Sequence, residues 1–278
     1  MMNLKTFLIV LSFLVTMISC NSTSTKDEKE EVIQKENVRN FQNKAHKLIS
    51  DMVEKVGNYQ QLLSKKDVVY TYTYTTPDGK SDISTEKYIF DGELSYGEYQ
   101  KHQRTLPHLE GTMEQGFDGN EFWLKSDGKL VSDTLALQRV MFNRPTNFYW
   151  FTMFQKLLDP GLNYEYLGEK ELSDTNFDIV KVSFESKNDK PTDIYQLYIN
   201  KETGLVDQFL FTVADFGVIE QPFLMQLEYE KVDDFLLPTK RKYKKSTWDA
   251  EVNDAPWILV NWSDIKFNNN LKKEIFKK

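Results

Sequence analysis

The chain has 278 residues, with 42 acidic against 35 basic side chains and a net charge of −7. That balance gives it no electrostatic reason to seek nucleic acid, whose binding rests on neutralising phosphates. Its one cysteine, Cys20, excludes a disulfide within the chain and with it thiol-pair catalysis and cysteine-built metal sites.

The first residues read as a leader. Lys5 precedes an apolar run from Phe7 to Ile18, and Met17-Ile18-Ser19-Cys20 resembles the lipobox of bacterial lipoproteins. In that family a diacylglycerol is attached to the cysteine and the leader is cut just before it. Residues 1–19 are therefore expected to be a lipoprotein signal peptide, and Cys20 the lipidation site that ties the chain to a membrane. Residues 20–37 have almost nothing to bury and are expected to be a lipidated, disordered tether. Lys26-Asp27-Glu28-Lys29-Glu30-Glu31 resembles the acidic export signals of some surface-exposed lipoproteins and reads equally as a solvated spacer. Asn21 is not the Asp that retains lipoproteins at the inner membrane under the enteric-type sorting rule. The expected location is the outer membrane, periplasm-facing or surface-exposed.

Residues 38–278 read as one domain, a size that sheets curled into barrels often reach as a unit. Val38, Phe41, Ala45, Leu48, Ile49, Met52, Val53 and Val56 recur at three- and four-residue steps, and Gly57 is placed to stop the run, so a one-sided helix is expected there. Tyr70, Tyr72 and Tyr74 then alternate with threonines as a strand from Val68, and Pro77-Asp78-Gly79 turns the chain. Further strands are expected at Lys87–Phe90, Leu94–Tyr99, Glu114–Phe117 and Glu121–Lys125, with Asp127-Gly128 making a hairpin turn before Lys129.

Almost nothing between Phe142 and Leu158 wants water. Pro145 with Thr146 or Asn147 is a helix start signal and Asp159-Pro160-Gly161 a stop, so about twelve helical residues are expected between them. That is short of the roughly twenty a bilayer requires. One side carries Phe148, Phe151, Phe154 and Leu158, the other Tyr149, Trp150, Met153 and Leu157, and a helix apolar all round must be covered on more than one side.

Strands resume at Tyr164–Gly168, Phe177–Phe184, Ile194–Asn200, Val206–Val213, Phe223–Glu230, Thr239–Lys245 and Ile258–Phe267, about ten residues apart and joined by tight turns. This is an antiparallel meander without strand-helix-strand alternation. The pattern by itself gives a mainly β (α+β) fold, a strongly curved antiparallel sheet with an N-terminal amphipathic helix and a central apolar helix on its concave side.

Tyr198-Ile199-Asn200-Lys201-Glu202-Thr203-Gly204-Leu205-Val206, together with the lipobox, the N-terminal helix, Gly92 and Leu237-Pro238, resembles the LolA/LolB-like half-barrel proteins of bacterial lipoprotein sorting. Arg144-Pro145-Thr146-Asn147-Phe148-Tyr149-Trp150-Phe151, Lys156-Leu157-Leu158-Asp159-Pro160-Gly161 and Leu237-Pro238-Thr239-Lys240-Arg241-Lys242-Tyr243 resemble, more closely, a family of uncharacterised lipoproteins assigned to that superfamily. The resemblance covers most of residues 38–276. It implies a curved, unclosed antiparallel β-barrel with helices, the central apolar one among them, as a lid over an apolar cavity, a fold that elsewhere holds acyl chains. It does not imply lipoprotein transport: the sorting carrier is soluble, and no position matches the receptor's membrane-inserting leucine loop or the carrier's lid-fastening arginine. Arg139 and Arg144, near the lid, read equally as a polar collar.

Chemistry-bearing residues are scattered. His46, His102 and His108 lack metal-ligand spacing. Ser126-Asp127-Gly128-Lys129 has a serine-lysine spacing on a hairpin turn, and Asp118, Glu121 and Asp127 sit in or beside turns. Lys240, Arg241, Lys242, Lys244 and Lys245 read as a solvated strand whose charge on both faces discourages edge pairing, or as a seat for an anionic headgroup or acidic partner. Trp123, Trp248, Trp257 and Trp262 read as core or rim, or as sugar-stacking platforms. The expected protein is a non-catalytic, membrane-anchored envelope lipoprotein without metal or cofactor, binding a lipid, acyl chain or lipoprotein moiety. The candidate cavity and lid residues are Phe148, Trp150, Phe151, Met153, Phe154, Leu157, Tyr72, Tyr74, Phe209, Phe211 and Met225. The alternatives are an envelope glycan-active or hydrolytic protein and a purely structural lipoprotein.

Overall fold

Antiparallel pairing runs unbroken through thirteen strands, in a computed structural model that describes residues 40–186 and 190–278. The leader, Cys20, the tether and Val38 lie outside the described residues. Residues Phe41–Lys278 form one compact unit.

Helix α1 spans Lys44–Val56. Asn43 caps it by accepting from the His46 N–H, and Gly57, at φ 95°, ends it. Its stripe of Ala45, Ile49, Met52, Val53 and Val56 is buried. A short second helix, α2 (Tyr59–Ser64), escapes the periodicity reading because six residues make under two turns. What starts it is a reciprocal cap, in which the Asn58 side chain accepts from the Gln61 N–H and the Gln61 side chain from the Asn58 N–H.

The strands are β1 (Asp67–Thr75), β2 (Ser81–Ile89), β3 (Leu94–His102), β4 (Met113–Phe117), β5 (Phe122–Ser126) and β6 (Lys129–Leu130), followed by helix α3 (Thr134–Thr152). After it come β7 (Leu162–Leu172), β8 (Thr175–Phe184), β9 (Ile194–Asn200), β10 (Val206–Val213), β11 (Val218–Val232), β12 (Phe235–Lys245) and β13 (Ile258–Phe267). Their order in the sheet is β6-β5-β4-β3-β2-β1-β13-β12-β11-β10-β9-β8-β7. The chain thus lays down one meander, crosses by α3 from one edge strand to the other, and lays down a second that returns to pair with the first, Tyr72 opposite Trp262.

The sheet is rolled. Val140 of α3 packs with Leu124 of β5, while the Tyr149 ring meets Phe184 of β8. Those helical residues stand about 14 Å apart, whereas the ten strand spacings from β5 to β8 would measure about 48 Å if flat. Only a sheet curled around α3 brings both to it, and β6 and β7 leave the barrel unclosed.

Two expectations are corrected. Helix α3 begins at Thr134, eleven residues before Pro145, because the Asp133 carboxylate accepts from the Ala136 N–H and caps it there. Pro145 lies inside the helix, where it removes one intrahelical donor. Its neighbours Asn143 and Arg144, hydrogen-bonded to Gln115 and Glu86, clamp the helix across that gap. The helix ends at Thr152, so Met153–Leu158 follows as turns. The second correction concerns the basic strand. β12 is interior, paired with β11 and β13, and of its five basic residues only Lys240, Lys242 and Lys245 are exposed. Arg241 is buried on the inner face, while Lys244 donates to the carbonyls of Asn253 (2.6 Å) and Ala255 (2.9 Å).

Several strands also run longer than their alternation. β2 starts at Ser81 because Asp82 and Ile83 pair with Tyr74 and Thr73 of β1, a ladder that polar side chains do not announce.

The interior has three parts. Helix α1 and Met153, Phe154 and Leu157 pack on the inner faces of β7 to β11. Phe148 and Phe151 meet Tyr70, Tyr88, Phe90, Phe235 and Trp262. The first turns of α3 cover Tyr99, Met113 and Leu124. On the outer face the C-terminal tail is fastened by Asp67, which accepts from the N–H groups of Asn269 (2.6 Å) and Leu271 (3.0 Å), and by Phe276, buried beside Trp123.

Candidate functional site

Helix α3 has two faces with different surroundings. Ala136, Val140, Asn143, Arg144, Phe148 and Phe151 are buried against the β1–β5 half of the sheet. Arg139, Phe142, Thr146, Tyr149 and Trp150 face a cavity of about 820 Å³ instead. That volume falls within the range of about 300–1,000 Å³ common to small-molecule sites.

A buried ion pair sets the helix in that position. Glu86 of β2 and Arg144 of α3 are fully buried, with Nη1 to Oε2 at 2.8 Å and Nη2 to Oε1 at 3.3 Å. Ser84 and Tyr88 also donate to the carboxylate at 2.7 and 2.9 Å, and Arg144 donates to the Tyr99 hydroxyl at 3.1 Å. Burial opposes the Arg144 charge, but Glu86 foremost, together with Tyr99 and Tyr88, more than offsets this and holds the guanidinium above its ordinary value. Gly97 lies beneath the pair with no side chain to displace it.

The far wall of the cavity is sheet. β1 contributes Tyr70, Tyr72 and Tyr74; β8 to β11 contribute Phe184, Tyr195, Phe211, Phe223 and Met225; β12 and β13 contribute Arg241, Tyr243, Val260 and Trp262. The hydroxyls of Tyr74 and Tyr243 meet at 2.5 Å, so these two amphipathic rings turn their apolar faces to the space and satisfy their polar tips on each other.

Three arginines break this aromatic surface. Arg241 stacks 3.7 Å over Trp262 and donates to the carbonyls of Pro238 and Trp150, both at 3.0 Å; burial lowers it to about 10. Arg104, in the loop after β3, lies 4.0 Å over Tyr74 and 3.2 Å from the buried Asp82 carboxylate. Arg139 stands 5.4 Å from the Phe142 ring, and burial followed by the charge of Arg104 push it below its ordinary value. Asp193 and Asp215 sit at the β9–β10 end, where Asp193 accepts from the Ala214 N–H at 2.7 Å and burial pushes its carboxyl up.

Of the candidate residues, Tyr72, Tyr74, Trp150, Phe211 and Met225 line the cavity. Phe148 and Phe151 lie in the core behind α3, and Met153, Phe154, Leu157 and Phe209 pack under α1. The arginines and Tyr243 were not among the candidates. Parity offered a signal for two of them: Arg241 and Tyr243 share one face of β12, and a tyrosine between lysines marks the inward side.

Of the other residues weighed for chemistry, Trp262 and Arg241 line the cavity, and the histidines, Ser126, Asp118 and the remaining tryptophans do not. His46 stacks on Tyr164 at 4.8 Å and His102 Nε2 is 3.0 Å from the Gly111 carbonyl. Ser126 donates to the Glu110 carbonyl, and Asp118 accepts from the Asn120 and Glu121 N–H groups. Trp123, Trp248 and Trp257 belong to two outer-face clusters, while Trp262 is inside the barrel. Among the described residues no His, Cys, Asp and Glu groups are placed to hold a metal, and no helix is long and apolar enough to cross a membrane.

No curated protein matches the sequence. The family of unknown function DUF6503 matches residues 120–241. Among solved structures, the chain is similar to a DUF1329 family protein from Desulfovibrio piger, at 11% identity over 83% of this chain and 96% of that one, with a TM-score of 0.46. It is also similar to a LolA superfamily protein from Nitrosomonas europaea, at 12% identity over 84% of this chain and 97% of that one, with a TM-score of 0.49.

Proposed function

We propose that the protein is an envelope lipoprotein, anchored to the outer membrane through a lipid on Cys20, that binds a lipid, acyl chain or lipoprotein moiety in the cavity without covalent chemistry. The observation that carries this reading is the cavity: about 820 Å³ of space that α3 leaves unfilled, walled by the aromatic residues of β1 and β8 to β13. A void of this size with apolar walls lacks the packing contacts that a fold's interior otherwise provides, and an apolar ligand restores them. Two large apolar side chains also stand exposed among its lining residues. Met141 is 53% and Phe216 58% exposed there, so a chain entering from a membrane or a partner meets apolar surface first.

Native mass spectrometry with lipid extraction on the protein with Cys20→Ser, purified from cells, tests the reading. A stoichiometric acyl-bearing ligand is expected. A cavity that stays empty when lipids are supplied overturns it in favour of a structural lipoprotein whose helices merely fill part of the barrel.

A further inference from the structure

The three arginines of the cavity wall are not equally provided for. Arg241 has two carbonyls and the Trp262 ring. Arg104 has Asp82, whose other duties are to accept from the N–H groups of Arg104 (2.8 Å) and Thr105 (3.3 Å). Arg139, half-buried on the cavity face of α3, has neither an ion pair nor a hydrogen bond among the described residues, only the Phe142 ring beside it. Asp82 does favour the Arg139 charge, but burial and the repulsion from Arg104 outweigh it together with Tyr99 and Tyr74, while Asp193 is engaged with Ala214 and Thr212 at the β9–β10 end. At the Arg104–Arg139 end, one buried carboxylate therefore stands against two guanidiniums, among aromatic rings.

A partly desolvated cation without a counter-charge is costly to the folded state, and an anion delivered into the cavity removes that cost. Guanidinium groups fit one kind of anion well, because their planar donors match the two oxygens of a carboxylate or phosphate. The surrounding rings favour a tail. Tyr72 and Tyr74 stand next to Arg104, and Trp150 and Phe211 continue the apolar wall away from it.

We propose that the Arg104–Arg139 end of the cavity is an anion subsite, so that the ligand is an amphiphile with a carboxylate or phosphate headgroup between the guanidiniums and an apolar tail along the aromatic wall. This rests on reading the cavity as an apolar-ligand site, and it adds the charge class of the ligand.

Isothermal titration of the full chain carrying Cys20→Ser with laurate, dodecyl phosphate, 1-dodecanol and inorganic phosphate, each chain ligand below its micellar concentration, tests it. One or both anionic amphiphiles should bind about tenfold or more tightly than dodecanol, the worth of one charge-assisted hydrogen bond, and inorganic phosphate far more weakly. Whichever anion binds better identifies the headgroup as carboxylate or phosphate. Arg139→Gln should abolish most of the preference by weakening the anions far more than dodecanol, and Arg139→Lys should restore part of it. Arg139 has no ion pair or hydrogen bond among the described residues to lose, only the Phe142 ring, so the glutamine variant should melt no lower than about 2 °C below the parent protein. Equal binding of dodecanol and both anions, or a preference that survives Arg139→Gln, overturns the anion subsite while leaving the apolar cavity standing. Inorganic phosphate binding as tightly as dodecyl phosphate overturns the amphiphile. If no chain ligand binds at all, the cavity reading falls and the subsite with it.

Discussion

Replacing Glu86 by Gln keeps the side-chain shape and removes one charge from a fully buried site. In the wild-type protein the carboxylate receives donors from Ser84, Tyr88 and both terminal nitrogens of Arg144, and both members of the pair are fully buried. A glutamine offers one acceptor oxygen where two were used and turns an NH₂ toward groups that donate. Arg144 is left as a buried cation without its anion, a loss of about 3–5 kcal/mol. In a chain of this size that lowers the melting temperature by about 6–20 °C. Gly97→Ala strikes the same pair from below, since its Cβ would lie 2.5 Å from Arg144 Nη1 and 2.8 Å from Glu86 Oε1. The control is the double variant Glu86→Leu with Arg144→Met, which removes both charges together; it should be more stable than Glu86→Gln alone. Urea denaturation and thermal melts of the four proteins decide the matter. If Glu86→Gln unfolds within about 1 kcal/mol of wild type, the ion pair is not what fastens α3 to the sheet.

Other perturbations probe separate parts of the molecule. Asp133→Ala removes the cap that starts α3 and should cost about 1 kcal/mol in urea denaturation; no change would mean that the first turn frays regardless. Phe276→Ala empties a fully buried ring site under the C-terminal tail and should cost about 3–5 kcal/mol, and a loss under about 1 kcal/mol would show that the tail is not part of the cooperative unit. Burial pushes Tyr99 up to about 12 and Tyr70, Tyr88 and Tyr195 well above 10.0. Because the folded values exceed the unfolded one, this stabilisation is complete below about pH 10 and is lost as pH rises from there toward 12, by about 1.4 kcal/mol per pH unit for each such tyrosine. Arg241, lowered to about 10, acts in the opposite sense above that value, but as one group against several. Urea midpoints should therefore fall above about pH 10, and constant midpoints to about pH 11 would contradict the buried-tyrosine account. Finally, Cys20→Ser should move the protein from the membrane fraction to the soluble one, and a variant that still sediments with membranes refutes lipidation as the sole anchor.

The strands whose alternation is cleanest were legible residue by residue. Ile194–Asn200, Val206–Val213 and Ile258–Phe267 stand in the structure with the bounds read from the chain, because a period of two between glycine or polar turns leaves little choice. Helix α3 was misplaced at its start for an equally physical reason. Pro145 is a strong local signal for a first helical turn, and the contacts that let a helix carry it in its interior, Asn143 to Gln115 and Arg144 to Glu86, come from strands 28 and 58 residues away. The basic stretch of β12 failed in the same way. Arg241 looks like one of a run of solvated cations until β11 and β13 close on either side and Trp262 rises beneath it.

By itself the sequence determined which residues share a face on the cleanly alternating strands, that the sheet is an antiparallel meander, and that an apolar helix lies within its curve. These are consequences of local periodicity and turn chemistry, carried by neighbours a few residues apart. Only the tertiary structure decided which inward residues are packed and which line empty space. Phe151 and Trp150 are adjacent and equally apolar, yet one is core and the other cavity wall, since the Glu86–Arg144 pair seats one face of α3 on the β1–β5 half of the sheet and leaves the other over the gap. A void is defined by what fails to reach it from every side, and that depends on placements no single stretch of chain encodes.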